Sequence, residues 1–269
     1  MMRPPRLSGT LRLLGAWLTP WRHGFRVRAS ESGLAFYAHH RDVIGRHLAK
    51  YGSHEPELTA WMAGYLQHAE PGLFIDIGAN LGWHVVHAAQ HRSVETIVAF
   101  EPDPFNGWLL NRNLTFNKID KAVVSNNAVG DRSGIARLHS YKASNRGRHS
   151  LLKDYGLGSL NVPLTDLDSA LEQLGLNERH VSLIKIDVEG YEPAVIAGAT
   201  KTLARTEALV LEFSPQLSGD GALSTRHMTN ALQGMGFAPF RLQGNEALPL
   251  DTEQLNRIDH QCDVIWLRS

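Results

Sequence analysis

Two apolar runs in this chain end in acids. Leu73-Phe74-Ile75 leads into Asp76, and the pattern Asp76-x-Gly78-x-Asn80-x-Gly82 then opens a helical stretch. The second run, Thr96 to Phe100, closes on Glu101-Pro102. Strand, glycine-bearing turn, helix and strand form a β-α-β unit, and the strand ends of such a unit meet a nucleoside-bearing cofactor. A glycine in the turn lets the ligand approach the backbone, because no Cβ holds it off. Glu101, at the tip of the second strand, can accept hydrogen bonds from two ribose hydroxyls. The variant of the turn discriminates among cofactors. A dinucleotide turn carries G-x-G-x-x-G and aims a helix N-terminus at a pyrophosphate. Here Asp76 would repel a diphosphate, whereas a carboxylate suits the ammonium and sulfonium groups of S-adenosylmethionine.

A second acidic stretch is Leu183-Ile184-Lys185-Ile186-Asp187-Val188-Glu189-Gly190, where period-two geometry turns Lys185, Asp187 and Glu189 to one side of an extended strand. A Lys185–Asp187 pair with a helix cap is the plain structural alternative. Asn127-Ala128 ends a further apolar run, Asn145 to Ser150 reads as a polar loop, and Leu211-Glu212 closes a late strand.

In this order and spacing the segments FIDIGANLG (74–82), AFEPDP (99–104), NAVGD (127–131), Asn145-x-Gly147-x-His149-Ser150, PLT-x-LD (163–168), LIKIDVEGYE (183–192) and Leu211-Glu212 resemble the FkbM-type family of S-adenosylmethionine-dependent methyltransferases, within the larger Rossmann-like class, over residues 54–215. The resemblance implies a methyl transfer from S-adenosylmethionine to an acceptor, most readily a hydroxyl oxygen of a sugar, glycan or natural product. It implies cofactor contacts at Asp76, Gly78, Asn80, Gly82, Glu101, Pro102, Asn127, Ala128 and Asp187, with Asn127-Ala128 against the adenine. Asp187 would lie beside the methyl and the acceptor. Asn145, Ser150, Glu189 and Glu212 are the candidate acceptor contacts. A hydroxyl acceptor must lose a proton, and Asp187 and His149 are the candidates to take it. The family has Asn-x-Gly-Gly-x-Ser in the polar loop; Arg148 and His149 depart from it, which points to a different acceptor preference. Two other classes share the scaffold: an NAD-dependent oxidoreductase, whose glycine fingerprint is not met, and a catalytically inert cofactor-binding or scaffolding module.

These residues require strands at 72–77, 96–101, 121–126, 182–187, 207–213, 237–242 and 262–267. Helices at 81–91, 104–117, 166–175, from about 192, and 225–235 alternate with them, and a β-rich segment covers 134–141 and 159–164. The expected fold is α/β: a doubly wound, mostly parallel, seven-stranded Rossmann-like sheet with an antiparallel last strand. The methyltransferase domain is expected over 71–269. A small N-terminal α/β extension over 1–70 would hold a basic arm, a hairpin at 25–37 and two helices, one over 41–51 closed by Gly52 and one capped by Ser53 and running to Gln67.

Composition narrows the partners. Lys plus Arg equals Asp plus Glu, 27 each in 269 residues, so no overall field draws nucleic acid. The single cysteine, Cys262, cannot close an internal disulfide and fits a reducing, cytoplasmic setting. No apolar run reaches the roughly 18–20 residues of a membrane span. Residues 1–28 are basic and partly amphipathic, so peripheral membrane contact is open to them. His84, His87 and His91 share a helical face, but no sequence-near carboxylate or cysteine completes a metal site. Asp187 and Glu189 lack an evident third ligand, so no metal is expected. Nothing in the sequence gives an oligomeric state.

Overall fold

The computed structural model describes residues 25–220 and 224–269, so most of the basic arm lies outside the described residues. Strands β1 (Phe25–Ala29) and β2 (Ala35–His39) form the expected antiparallel hairpin. Helix α1 (Val43–Tyr51) starts at Asp42, whose side chain accepts the Ile44 N–H, and ends at Gly52, where φ is 76°. Helix α2 (Pro56–His68) differs from expectation at its start. Its N-cap is Glu55, not Ser53; Glu55 makes no capping bond and sits in the left-handed region at φ 44°, ψ 58°.

The alternating pattern then begins: β3 (Gly72–Ile77), α3 (Trp83–Ala88), β4 (Val94–Phe100), α4 (Pro104–Phe116) and β5 (Ala122–Ser125). Strands β6 (Ala128–Gly130), β7 (Gly134–His139) and β8 (Ser159–Asp166) form a separate three-stranded sheet in the order β6-β8-β7. Helix α5 (Leu167–Gln173), β9 (Val181–Ile186), α6 (Glu192–Ala197), α7 (Thr200–Leu203) and β10 (Thr206–Phe213) return the chain to the main sheet. It closes with α8 (Thr225–Gly234), β11 (Phe237–Gln243), β12 (Glu246–Pro249), α9 (Thr252–Asn256) and β13 (Cys262–Arg268).

The main sheet runs β12-β11-β13-β10-β9-β3-β4-β5. Seven of these strands are the expected ones, and β13 is antiparallel to both of its neighbours. The eighth, β12, adds an edge hairpin to β11 that the sequence reading did not include. β3 lies between β4, which follows it in the chain, and β9, which comes back from the far side. That is the switch in strand order, where α/β sheets hold ligands beyond the carboxyl ends of their strands.

Side-chain alternation along β3 divides the core. Leu73, Ile75 and Ile77 join Val98, Ile184 and Leu209 on one face of the sheet. Phe74 joins Ile97, Leu183 and Val210 on the other, together with Phe36, Leu48, Trp61 and Leu66 from the N-terminal unit. The hairpin and the first two helices therefore share a hydrophobic core with the sheet. By the same alternation, Asp76 and its register partner Lys185 point toward the face that carries this unit.

Candidate active site

The turn after β3 is shaped by close approaches. Gly78 has φ 85°, and a Cβ there would lie 1.9 Å from the carbonyl oxygen of Asp187, so only glycine fits. Asn80 is left-handed at φ 50° and sends its N–H to Glu101 Oε2 at 2.8 Å. It does not cap α3; that position belongs to Gly82, at φ 87°. A Cβ on Gly82 would meet Leu110 Cδ1 at 2.4 Å, which makes this glycine a packing contact with α4.

Glu101 follows β4 and is buried, with Oε1 accepting the Asp103 N–H at 2.9 Å. Burial pushes its carboxyl up to about 8, against the pull of its two backbone donors. Asp103 caps α4 by accepting from the Phe105 and Asn106 N–H groups.

A cavity opens beside this turn, with about 520 Å³ of empty space when its open mouth is counted. Gly78, Asn80, Glu101, Pro102, Asn127, Ala128 and Asp187 all line it, seven of the nine expected cofactor contacts. The other two, Asp76 and Gly82, do not line it. Asp76 is 1% exposed, and neither of its carboxylate oxygens has a hydrogen-bond partner among the described residues. Burial raises its pKa, with Lys185 and His84 opposing.

A second cavity adjoins the first and shares Gly78, Asn80, Gly147 and Asp187 with it. Asn145, Glu189 and Glu212 line it, along with Lys185, Arg148 and Gln261. Lys185 is buried and donates from Nζ to Asp187 Oδ2 at 3.0 Å. Glu189 is reached through a left-handed backbone (φ 52°) rather than by an extended strand, yet it faces the same space as Lys185 and Asp187. Its Oε1 is 3.3 Å from Arg148 Nε, and Oε2 accepts from Gln261. Burial, with the Asp187 charge added, lifts Glu189 to about 7 and Glu212 well above the usual carboxylate range.

Glu212 supplies the third carboxylate that sequence proximity could not. Ligand oxygens of Asp187, Glu189 and Glu212 lie within 4.8 Å of one another. Lys185 and Arg148 already offset the first two.

His149 and Ser150 sit differently from expectation. His149 lines the first cavity, not the second. Its Nδ1 accepts the Tyr141 N–H at 2.8 Å, and Nε2 faces Asp103 Oδ2 at 3.5 Å. Burial lowers its pKa, so the ring is neutral with its one lone pair occupied, a poor arrangement for accepting a substrate proton. Ser150 is fully buried and lines neither cavity. Its Oγ donates to the Glu189 carbonyl and accepts from Leu152 and Lys153 N–H groups, which fixes the loop behind Glu189.

Two residues missed in the sequence, His54 and Glu55, also line the second cavity, as does His84. Glu55 preceding Pro56 looks like an ordinary acid at a helix start, and His84 looks like core. Only the fold brings them together.

The donor and acceptor set of the first cavity fits S-adenosylmethionine: an acid at the second strand tip, a glycine turn with no room for a Cβ, and a small apolar residue, Ala128, on the wall. The family model described as "Methyltransferase FkbM domain" matches residues 76–239. The 2-O-methyltransferase NoeI of Sinorhizobium fredii is 28% identical over 182 residues, covering 62% of this chain and 73% of that protein. The 31-O-demethyl-FK506 methyltransferase FkbM of Streptomyces tacrolimicus is 29% identical over 206 residues, covering 64% and 76%. Among solved structures, a Bacillus cereus O-methyltransferase in complex with SAH aligns with a TM-score of 0.46 at 10% identity, over 80% of this chain and 81% of that one. TYW2 of M. jannaschii in complex with AdoMet aligns at 0.42 and 9% identity, over 91% and 87%. With more than half its length matched by the family model, this chain belongs to the FkbM methyltransferase family and is an S-adenosylmethionine-dependent methyltransferase.

Proposed function

We propose that this enzyme methylates a hydroxyl oxygen of a small sugar, glycan or natural-product acceptor. The observation that carries the reading is the paired cavity: two spaces at the strand switch share Gly78, Asn80, Gly147 and Asp187 as a common wall. In this reading the first space holds the adenosyl part of the cofactor, with Glu101 on the ribose and Asn127-Ala128 on the base. Asp76 acts from behind the turn as a buried anion toward the cationic end. The cofactor supplies an activated methyl group; the protein's task is to align an acceptor with it. Asn145, Glu189 and Glu212 contact that acceptor, and Asp187, at the shared wall, takes the hydroxyl proton. His149 closes the adenosyl side. Both curated relatives carry oxygen positions in their names, which supports oxygen as the methylated atom. At the second cavity Lys185 and Arg148 are already paired with carboxylates, which supports a small neutral acceptor over a polyanionic nucleic acid. Among the described residues no helix is long and apolar enough to cross a membrane.

Calorimetric titration with S-adenosylmethionine and, separately, with NAD tests the cofactor half. The expected result is binding of the first at micromolar or tighter affinity and none of the second. Binding of NAD alone would overturn the reading. Release of S-adenosylhomocysteine only when a hydroxyl compound is added would distinguish an active enzyme from an inert binding module.

A further inference from the structure

The N-terminal unit does more than cover the sheet. Residues 54 and 55 precede the matched family segment, 76–239, yet they form part of the second cavity's wall. Glu55 Oε2 lies 2.7 Å from His84 Nε2, and Oε1 lies 3.2 Å from His54 Nε2. His54 Nδ1 is in turn 3.0 Å from His47 Nδ1. Burial lowers the pKa of His47, so that ring is neutral. One of the two rings donates from Nδ1 to the other, which fixes the His54 ring with Nε2 toward Glu55. Burial alone would raise the Glu55 carboxyl, but the hydrogen bonds from His54 and His84 outweigh it and hold it well below the usual range.

This carboxylate is oriented at the expense of local structure. Glu55 occupies the N-cap of α2, where Ser, Thr, Asp or Asn would bond the helix end, and it makes no such bond. Its left-handed backbone is a conformation that non-glycine residues adopt only at a cost. Strain of this kind clusters where a side chain must be aimed. The carboxylate side chain is 37% exposed. With about four lone-pair sites and two imidazoles bound, it keeps capacity for a ligand.

The charge balance of the cavity narrows that ligand. Asp187 has Lys185 and Glu189 has Arg148, while Glu55 is hydrogen-bonded by its two imidazoles. Glu212 is pushed toward its neutral form. The cavity therefore presents many hydrogen-bond acceptors, two of its carboxylates already paired with cations and Glu55 held by donors. That complements a neutral, hydroxyl-rich molecule better than a cation.

We propose that Glu55, fixed between His54 and His84, is an acceptor-binding residue that takes hydrogen bonds from the hydroxyls of a neutral polyol such as a pyranose ring. The helical pair α1–α2 thereby selects and orients the acceptor that the strand ends then methylate. This rests on the methyltransferase reading of the paired cavity.

The test uses the full chain saturated with S-adenosylhomocysteine and, as probes, methyl α-glucopyranoside, its galacto and manno isomers, and glucosamine as the charged counterpart. Saturation-transfer NMR and calorimetry read binding. The expected result is binding of at least one neutral pyranoside in preference to glucosamine, weakened ten-fold or more by Glu55→Gln and by Glu55→Gly. Glycine accepts a φ of 44°, so the second variant keeps the fold, as a thermal melt would verify. S-adenosylhomocysteine affinity should stay within two-fold in both variants. Unchanged pyranoside affinity in the variants, preference for glucosamine, or no pyranoside bound by the loaded wild type would each overturn the inference and leave the methyltransferase reading standing. Failure of S-adenosylhomocysteine to bind would overturn both.

Discussion

Gly78 and Asp187 meet where the sheet reverses its strand order: the Asp187 carbonyl oxygen occupies the space that a side chain on Gly78 would need. The Asp187 N–H also donates to the Ile77 carbonyl at 2.9 Å, so the chain after β9 is hydrogen-bonded to the end of β3 at the same point. That junction is the wall between the two cavities. Asp187 therefore reaches both spaces through a backbone position fixed by its neighbour, not through a flexible loop.

Gly78→Ala should break the junction. A left-handed alanine costs about 1–2 kcal/mol, and relieving a 1.9 Å overlap with backbone adds about 1–3 kcal/mol more. The thermal midpoint should fall by several degrees and S-adenosylmethionine affinity by at least ten-fold. Gly33→Ala is the control, since Gly33 has φ 82° but nothing within 4 Å of the added Cβ. It should show only the conformational part and no loss of affinity. Equal melting and equal affinity for Gly78→Ala and wild type would refute the tight junction.

Glu101 makes a prediction about pH. In the folded chain its carboxyl is held near 8, against 4.5 for the ordinary group. Between those values the unfolded chain has lost a proton that the folded chain keeps, so stability from this group is full below about pH 4.5 and declines as pH rises through 8. Glu192 and Glu189, also raised, act in the same direction. Ribose hydroxyls favour the ionised carboxylate, so cofactor binding at pH 7 should release most of one proton, and affinity should climb toward pH 8. Calorimetry in two buffers of different ionisation enthalpy measures that release. Glu101→Gln should abolish it and flatten the affinity profile; the same proton release in the variant would remove Glu101 from the ribose.

The strand-end chemistry was legible in the sequence because each acid closes an apolar run: Asp76 after Ile75, Glu101 after Phe100, Asp187 after Ile186. Period and punctuation are enough for that. β6 was not legible, because three residues, Ala128–Gly130, carry no period, and its pairing with β8 is non-local. The same limit hid β12, which exists only as the partner of β11. Ser150 illustrates a different failure: residue type and neighbourhood suggested a substrate contact, whereas its hydroxyl is consumed by three backbone partners. Glu55 and His84 are 29 positions apart and lie on different helices or their caps, so no spacing rule connects them.

Asp187→Asn separates the chemistry from the scaffold. The substitution keeps size and removes the anion that faces both cavities. Folding should survive, because Lys185, although buried, still has the Asp76 carboxylate as a nearby counter-charge. Lys185→Met is the opposite case: it leaves Asp76 and Asp187 without their cation in a buried setting and should destabilise the protein by about 3–5 kcal/mol. If Asp187 accepts the hydroxyl proton, the Asn variant loses roughly 10²–10⁴-fold in turnover while S-adenosylmethionine affinity stays within about three-fold. Single-turnover release of S-adenosylhomocysteine, with protein saturated in cofactor and in a pyranoside that the wild type methylates, measures the chemical step directly. A structural role alone would move the melting temperature and leave that rate nearly intact. Wild-type turnover in the Asn variant would pass the proton-accepting role to another group.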